Sequence, residues 1–208
     1  MARVPVNPGT VAWAGDNPGI YLRETPDGPW TALGIFFRVL YSAYGRGSAM
    51  VILGDPGEAS GFPNSRNVCL STNQEMMRYL VDDFVRRFPS FRDQPGLESM
   101  TWLDVASHAS QGNMTDTWSE TMHATGCTAH MRWTEFGSPF AVEVGPKDCA
   151  TGAHDMYSVF MEAQSASITL NGAPLSGQVC ERLFFGRKMS TAFMAVSETW
   201  VIPAPDEG

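Results

Sequence analysis

The chain has 208 residues, of which 43% are hydrophobic and 17% are charged. This length and apolar share predict one folded domain over residues 1–208 and exclude a globally disordered chain. The formal net charge of -8 excludes a surface built for nucleic acid or anionic membranes, because both need positive charge.

The N-terminal residues 1–9 contain no apolar core of a signal peptide, and no apolar run approaches the ~18 residues of a membrane span. We therefore expect a cytoplasmic protein with no membrane partner. The four cysteines form no CxxC pair, so free thiols are expected in that compartment. The sequence also contains no nucleotide-binding fingerprint, so no cofactor is expected.

The first segment, residues 1–30, is rich in proline and glycine, which disfavours both a regular helix and a central strand. It also carries four large apolar side chains: Trp13, Ile20, Tyr21 and Trp30. We predict an arm that packs across the surface or onto a second subunit, which would make a homodimer contact. Residues 203–208 predict a flexible tail.

Two strands are predicted next, over residues 33–44 and 49–53, and then one amphipathic helix over about residues 73–88. Thr72 and Glu75 have the spacing of a capping box. Apolar residues recur at four-residue spacing along the segment: Met76, Leu80, Phe84 and Phe88. Such a stripe predicts a helix that lies on a sheet.

From residue 100 the apolar pattern has period two, with turn residues between the runs. The predicted strands cover residues 100–107, 115–124, 127–136, 140–144, 155–164, 168–170, 178–185 and 191–202. Short connections imply antiparallel neighbours. The expected fold class is mainly β (α+β), with about ten strands in a curved or closed β-barrel. A hot-dog-like sheet wrapped around the helix is the alternative, and both shapes commonly hold small molecules.

One carboxylate is predicted to lie inside an apolar face. A two-residue turn at Thr125 and Gly126 pairs Trp118 with Trp133, and the apolar faces of the two strands then coincide. The same register places Glu120 on the apolar face. An ionised carboxylate there costs several kcal/mol unless it is paired or protonated, so we expect an ionisable partner.

Three further ionisable residues interrupt apolar phases: Arg38, Glu181 and Glu198. If Glu120 meets another glutamate, one pKa rises, and the pair becomes a general acid beside a charged base. If it meets Arg38, the pair is structural. These four residues are the catalytic candidates, although any of these phases is also compatible with a solvent-facing sheet edge.

Two histidines are the only metal-ligand candidates that the strand register brings together. His123 and His130 are diagonal neighbours on a threonine-rich face. Neither HxH nor HExxH is present, and such a face is typical of the wet side of a sheet, so no metal site is expected.

These patterns predict a small-molecule-binding β-barrel protein that holds a largely apolar ligand inside the barrel. It is either a cofactor-independent enzyme of proton-transfer type (isomerase, lyase or hydratase, hydrolase) or a non-catalytic carrier or oligomeric assembly protein. The sequence leaves open whether it is an enzyme.

Overall fold

The computed structural model describes residues 8–205 and is mostly β, with 57% strand and 9% helix. Its strands are β1 (Gly9–Asp16), β2 (Gly19–Arg23), β3 (Trp30–Ser42), β4 (Gly47–Leu53), β5 (Asn67–Ser71), β6 (Thr101–Gly112), β7 (Thr117–Ala124), β8 (Cys127–Phe136), β9 (Phe140–Val144), β10 (Asp155–Leu170), β11 (Ala173–Pro174), β12 (Glu181–Phe184), β13 (Arg187–Ser190) and β14 (Ala192–Pro203). Its helices are α1 (Gln74–Asp83), which a 3-10 turn at Val85–Arg87 extends, and α2 (Pro95–Ser99).

The main sheet closes on itself. Within the described residues, nine strands form a ring in the order β14-β2-β3-β4-β5-β6-β7-β8-β10, and β10 pairs back onto β14. The pairings around the ring are antiparallel except that of β5 with β6, which are parallel. The expected mainly β, antiparallel, closed sheet with one amphipathic helix is therefore confirmed.

The proline- and glycine-rich segment is part of this sheet, which corrects the prediction of a surface arm. β1 and β2 follow one another in the same slot between β14 and β3. The glycines allow this, because a Cβ on Gly15 would lie 1.9 Å from the carbonyl oxygen of Arg38. Trp13 is fully buried in the chain's own core, so it gives no support to the predicted homodimer contact. The rest of that prediction, residues 1–7, and residues 206–208 of the predicted tail lie outside the described residues.

The two faces of the sheet carry separate cores. Side chains fill the inside of the ring, among them Phe36, Ile52, Met131 and Trp133. The second core lies outside the ring, where α1 packs its apolar stripe on the sheet. The helix therefore covers the outer face of the sheet. The hot-dog-like alternative required a sheet wrapped around the helix, and the structure does not have this arrangement.

The helix begins one residue later than the capping box predicted. Asn73 is the N-cap, and its Oδ1 accepts a hydrogen bond from the backbone N–H of Met76 at 3.1 Å. The Thr72 hydroxyl instead bonds the backbone of Ser48. Among residues 8–205, no helix has both the length and the apolar character needed to cross a membrane.

The C-terminal strands differ from the prediction in two places. Residues 155–170 form one long strand, β10, where two were predicted. Residues 178–185 were predicted to form one strand of the barrel, but β12 pairs only with β13, in a separate two-stranded hairpin. This hairpin covers part of the outer face and forms one wall of the site described below.

Candidate functional site

The register predicted for Glu120 is confirmed. Glu120 pairs with Met131 across β7 and β8, and Gly126 has the positive φ of 74° that the tight turn requires. The Glu120 side chain is fully buried in the ring. Arg38 forms an ion pair with it, in which Nη2 donates to Oε1 at 2.8 Å.

Three further groups bond the same carboxylate. Trp118 Nε1 donates to Oε1 at 2.9 Å, Ser110 Oγ donates to Oε2 at 2.7 Å, and His108 Nε2 lies 2.7 Å from Oε2. Each carboxylate oxygen thus has two polar contacts. This is the structural branch of the prediction, in which Arg38 and the neighbouring donors stabilise the buried charge.

Glu198 lies on the other side of the sheet, contrary to its sequence phase. Strict alternation along β14 would place it inside the ring with Met194. A bulge intervenes, because Val196 and Thr199 pair with Val159 and Tyr157, so three steps along β14 match two along β10. The bulge moves Glu198 to the outer core, where it cannot form a pair with Glu120.

Two side chains hold the buried Glu198 carboxyl, which is only 3% exposed. Trp200 Nε1 donates to Oε1 at 2.6 Å, and Asn17 Nδ2 donates to the same oxygen at 3.2 Å. Oε2 takes neither bond. Burial raises the pKa of the carboxyl from an ordinary value of 4.5 to about 7, although Trp200, Asn17 and the hydroxyl of Ser158 lower it in part.

Asp16 and Asn17, at the end of β1, connect the surroundings of Glu120 with those of Glu198. Asp16 Oδ2 accepts from Arg38 Nη1 at 3.1 Å, while Asn17 reaches Glu198. The charge of Asp16 also contributes to the raised pKa of Glu198.

Glu198 lines a cavity of about 220 Å³ on the outer face of the sheet. The cavity lies between the sheet, the segment after α1, the loop around Cys149 and the β12–β13 hairpin. Seven of its lining residues are aromatic: Tyr21, Phe88, Phe160, Phe184, Phe185, Phe193 and Trp200. The inside of the ring, where the ligand was expected from the sequence, is instead packed with the ring's own side chains.

One cation faces this cavity, and the sequence patterns did not indicate it. Arg182 on β12 lines the cavity, and its Cζ lies 4.5 Å from the ring centroid of Phe184 and 4.8 Å from that of Phe193. Its Nε and Nη2 are shielded from solvent and have no hydrogen-bond partner among residues 8–205. Burial lowers the pKa of the guanidinium, but an arginine remains protonated in proteins.

Arg182 and Glu198 are both close enough to Tyr21 to affect the pKa of its hydroxyl. Burial raises the pKa of its hydroxyl to about 12, Arg182 lowers it and Glu198 raises it. The cavity therefore combines aromatic walls, the carboxyl of Glu198 with a pKa of about 7, and Arg182, two of whose N–H groups have no partner among residues 8–205. Such a combination is typical of a ligand site.

The other sequence candidates lie elsewhere. Glu181 is on the hairpin with its side chain 62% exposed, and it pairs with Lys188 at 2.8 Å. Leu183 and Phe185, which share its face of the strand, are exposed as well, because β12 pairs only with β13 and not with the main sheet. The expectation that Glu181 interrupts a buried face is therefore wrong. His123 and His130 bond Thr128 and Thr121 instead of each other. In the described part of the chain, no three His, Cys, Asp or Glu residues are grouped to hold a metal ion.

All four cysteines are free and buried: Cys69, Cys127, Cys149 and Cys180. Cys149 lines the cavity, but burial raises the pKa of its thiol, which disfavours the nucleophilic thiolate.

Comparisons with protein-family models, with curated proteins and with solved structures find no match, so the function has to be argued from this geometry alone.

Proposed function

We propose that the protein binds a small, largely apolar molecule in the outer cavity and that Glu198 exchanges a proton with it. The observation that carries the proposal is a buried carboxyl in the wall of a cavity rich in aromatic side chains, with only one of its oxygens held by Asn17 and Trp200. A group that titrates near 7 has substantial populations of acid and base at neutral pH, as general acid–base catalysis requires.

Glu198 is well placed for this role in two respects. Asn17 and Trp200 hold Oε1, so the orientation of the carboxyl is fixed before a ligand arrives. The carboxyl itself is only 3% exposed, and this burial strengthens any interaction between Glu198 and a charge that develops on a substrate.

Reactions of the proton-transfer class fit the site: isomerisation, hydration, elimination or hydrolysis of a molecule with an activated C–H or polar bond. Glu120 is not the partner carboxylate in this chemistry, because the sheet separates it from Glu198. Asp148 also lines the cavity and is a candidate for the second acid or base where the reaction needs one.

A blocking substitution tests the binding step. Ala150 lines the cavity, so Ala150→Trp should fill it and remove the binding of small aryl probes measured by ligand-observed NMR. Ala109 is exposed on β6, and Ala109→Trp should leave that binding unchanged. Binding to both variants alike would contradict the proposed location.

A deuterium-exchange assay tests the proton-transfer step. The α-hydrogens of the neutral aryl ketone 1-phenylpropan-2-one should exchange with D2O faster with the wild-type protein than with Glu198→Gln, because glutamine cannot accept the proton. Binding of the ketone with equal, slow exchange for both proteins would favour the alternative of a non-catalytic carrier. The other alternative, an oligomeric assembly protein, rested on the N-terminal segment, whose Trp13 is buried within this chain.

A further inference from the structure

We propose that the molecule bound in this cavity carries a carboxylate on an apolar body the size of one aromatic ring, and that Arg182 binds the carboxylate. The inference rests on the proposed function, since it names the class of ligand for the same site.

The two unpartnered nitrogens of Arg182 are the ones that a carboxylate needs. Nε–H and Nη2–H point the same way from one edge of the planar guanidinium, and their spacing matches the two oxygens of a carboxylate. Both nitrogens are shielded from solvent, and neither bonds a protein group within residues 8–205. The aromatic side chains that cover this edge therefore have to shift before a carboxylate reaches it. A neutral ligand with a single acceptor would leave one of them unsatisfied.

Stacking of the guanidinium on aromatic rings does not replace these bonds. Cζ lies 4.5 Å, 4.8 Å and 5.3 Å from the centroids of Phe184, Phe193 and Tyr21. These contacts use the faces of the rings and leave the in-plane N–H groups unpaired. They hold the cation at the wall of the cavity.

The described part of the protein does not neutralise this charge. Each recorded ion pair within residues 8–205 involves another cation. Glu198 and the exposed Asp148 line the same cavity, but neither forms an ion pair with Arg182. An uncompensated buried charge is costly, so an anionic ligand would remove a penalty that the free protein carries.

The size of the cavity limits the rest of the ligand. An engineered apolar cavity of about 150 Å³ is enough to bind benzene. The volume of about 220 Å³ here therefore accommodates one ring with a short acidic side chain. Phe160, Phe193 and Trp200 provide apolar walls for the ring.

The test compares an acid with its amide on the full chain. Binding of 3-phenylpropionate and of neutral 3-phenylpropanamide is measured by calorimetry at neutral pH, for the wild-type protein, Arg182→Met and Arg187→Met. Arg187 is a matched control, because it lies on the same hairpin but is exposed and stacks on Phe140, outside the cavity. Circular dichroism establishes that each variant is folded.

We expect the wild-type protein and Arg187→Met to bind the acid about tenfold or more tightly than the amide, as a charge-assisted bidentate contact implies. Arg182→Met should bind both with the same low affinity. If that variant does not fold, Arg182→Lys replaces it and should keep only part of the preference, because an ammonium offers no paired edge.

Two results would overturn the inference in distinguishable ways. Equal binding of acid and amide to the wild-type protein, or a preference for the acid that survives in Arg182→Met, removes the carboxylate and leaves the proposed function standing. A Kd weaker than about 1 mM for both probes with the wild-type protein removes this ligand class and the proposed binding function together.

Discussion

Glu198→Gln should remove a pH dependence of stability that the wild-type protein shows between about pH 5 and about pH 8. Burial raises the pKa of the carboxyl to about 7 in the folded protein, whereas the unfolded chain has the ordinary value of 4.5. Between these values the folded state binds more protons than the unfolded state. The resulting stabilisation is complete below 4.5 and is lost as the pH rises through about 7.

The magnitude follows from the two pKa values. The free energy of unfolding should fall by about 2 to 3 kcal/mol between about pH 5 and about pH 8 because of this one carboxyl. Glutamine resembles the protonated acid in shape and can still accept hydrogen bonds from Trp200 and Asn17, so Glu198→Gln should lack this component.

Urea denaturation followed by tryptophan fluorescence measures the effect, and the informative quantity is the difference between wild type and variant at each pH. Other titrating groups cancel in that difference. Glu181→Gln is the control, since its exposed carboxyl should give a difference that is small at every pH. A difference for Glu198→Gln that stays constant from about pH 5 to about pH 8 would refute the reasoning, and with it the general acid–base role.

Three further predictions concern the scaffold and the site. Glu120→Gln should lower the free energy of unfolding by about 2–4 kcal/mol in urea denaturation, because it removes the buried charge to which Arg38, Trp118 and Ser110 donate; an effect as small as that of Glu181→Gln would contradict this. Gly15→Ala should lower the melting temperature strongly, since its Cβ would collide with backbone, while Gly57→Ala, with open space around it, should not. Trp200→Phe removes the 2.6 Å hydrogen bond to the cavity carboxyl and should raise its pKa further, as 13C NMR titration would detect; an unchanged or lower pKa would count against that bond.

Local patterns in the sequence predicted most of the strands and the main helix. The hairpin from residue 117 to 136 was predicted in the correct register, because an apolar face specifies strand pairing and Gly126 suits the turn. The same register placed Glu120 on an apolar face, and Arg38 was among its expected partners because it also interrupts an apolar phase. The amphipathic helix was also predicted, because its apolar stripe is a local property of the chain.

The N-terminal segment shows where composition misleads. Its glycines and prolines are typical of an irregular arm, yet β1 and β2 complete the ring. The tight approach of Gly15 to the backbone of Arg38 involves residues more than twenty positions apart, so composition within the segment could not reveal it.

The candidate site itself was decided by tertiary structure. A bulge in β14 reversed the side of the sheet on which Glu198 lies, and no alternation of apolar and polar residues encodes such an extra residue. Arg182 became part of the site only because a short hairpin folds back over the outer face. The sequence alone determined that a few charges would interrupt apolar faces. The packing of the sheet, hairpin and helix decided that one carboxylate is fully hydrogen-bonded, while another faces a cavity together with an unpartnered cation, because burial and pairing depend on neighbours that are distant in the chain.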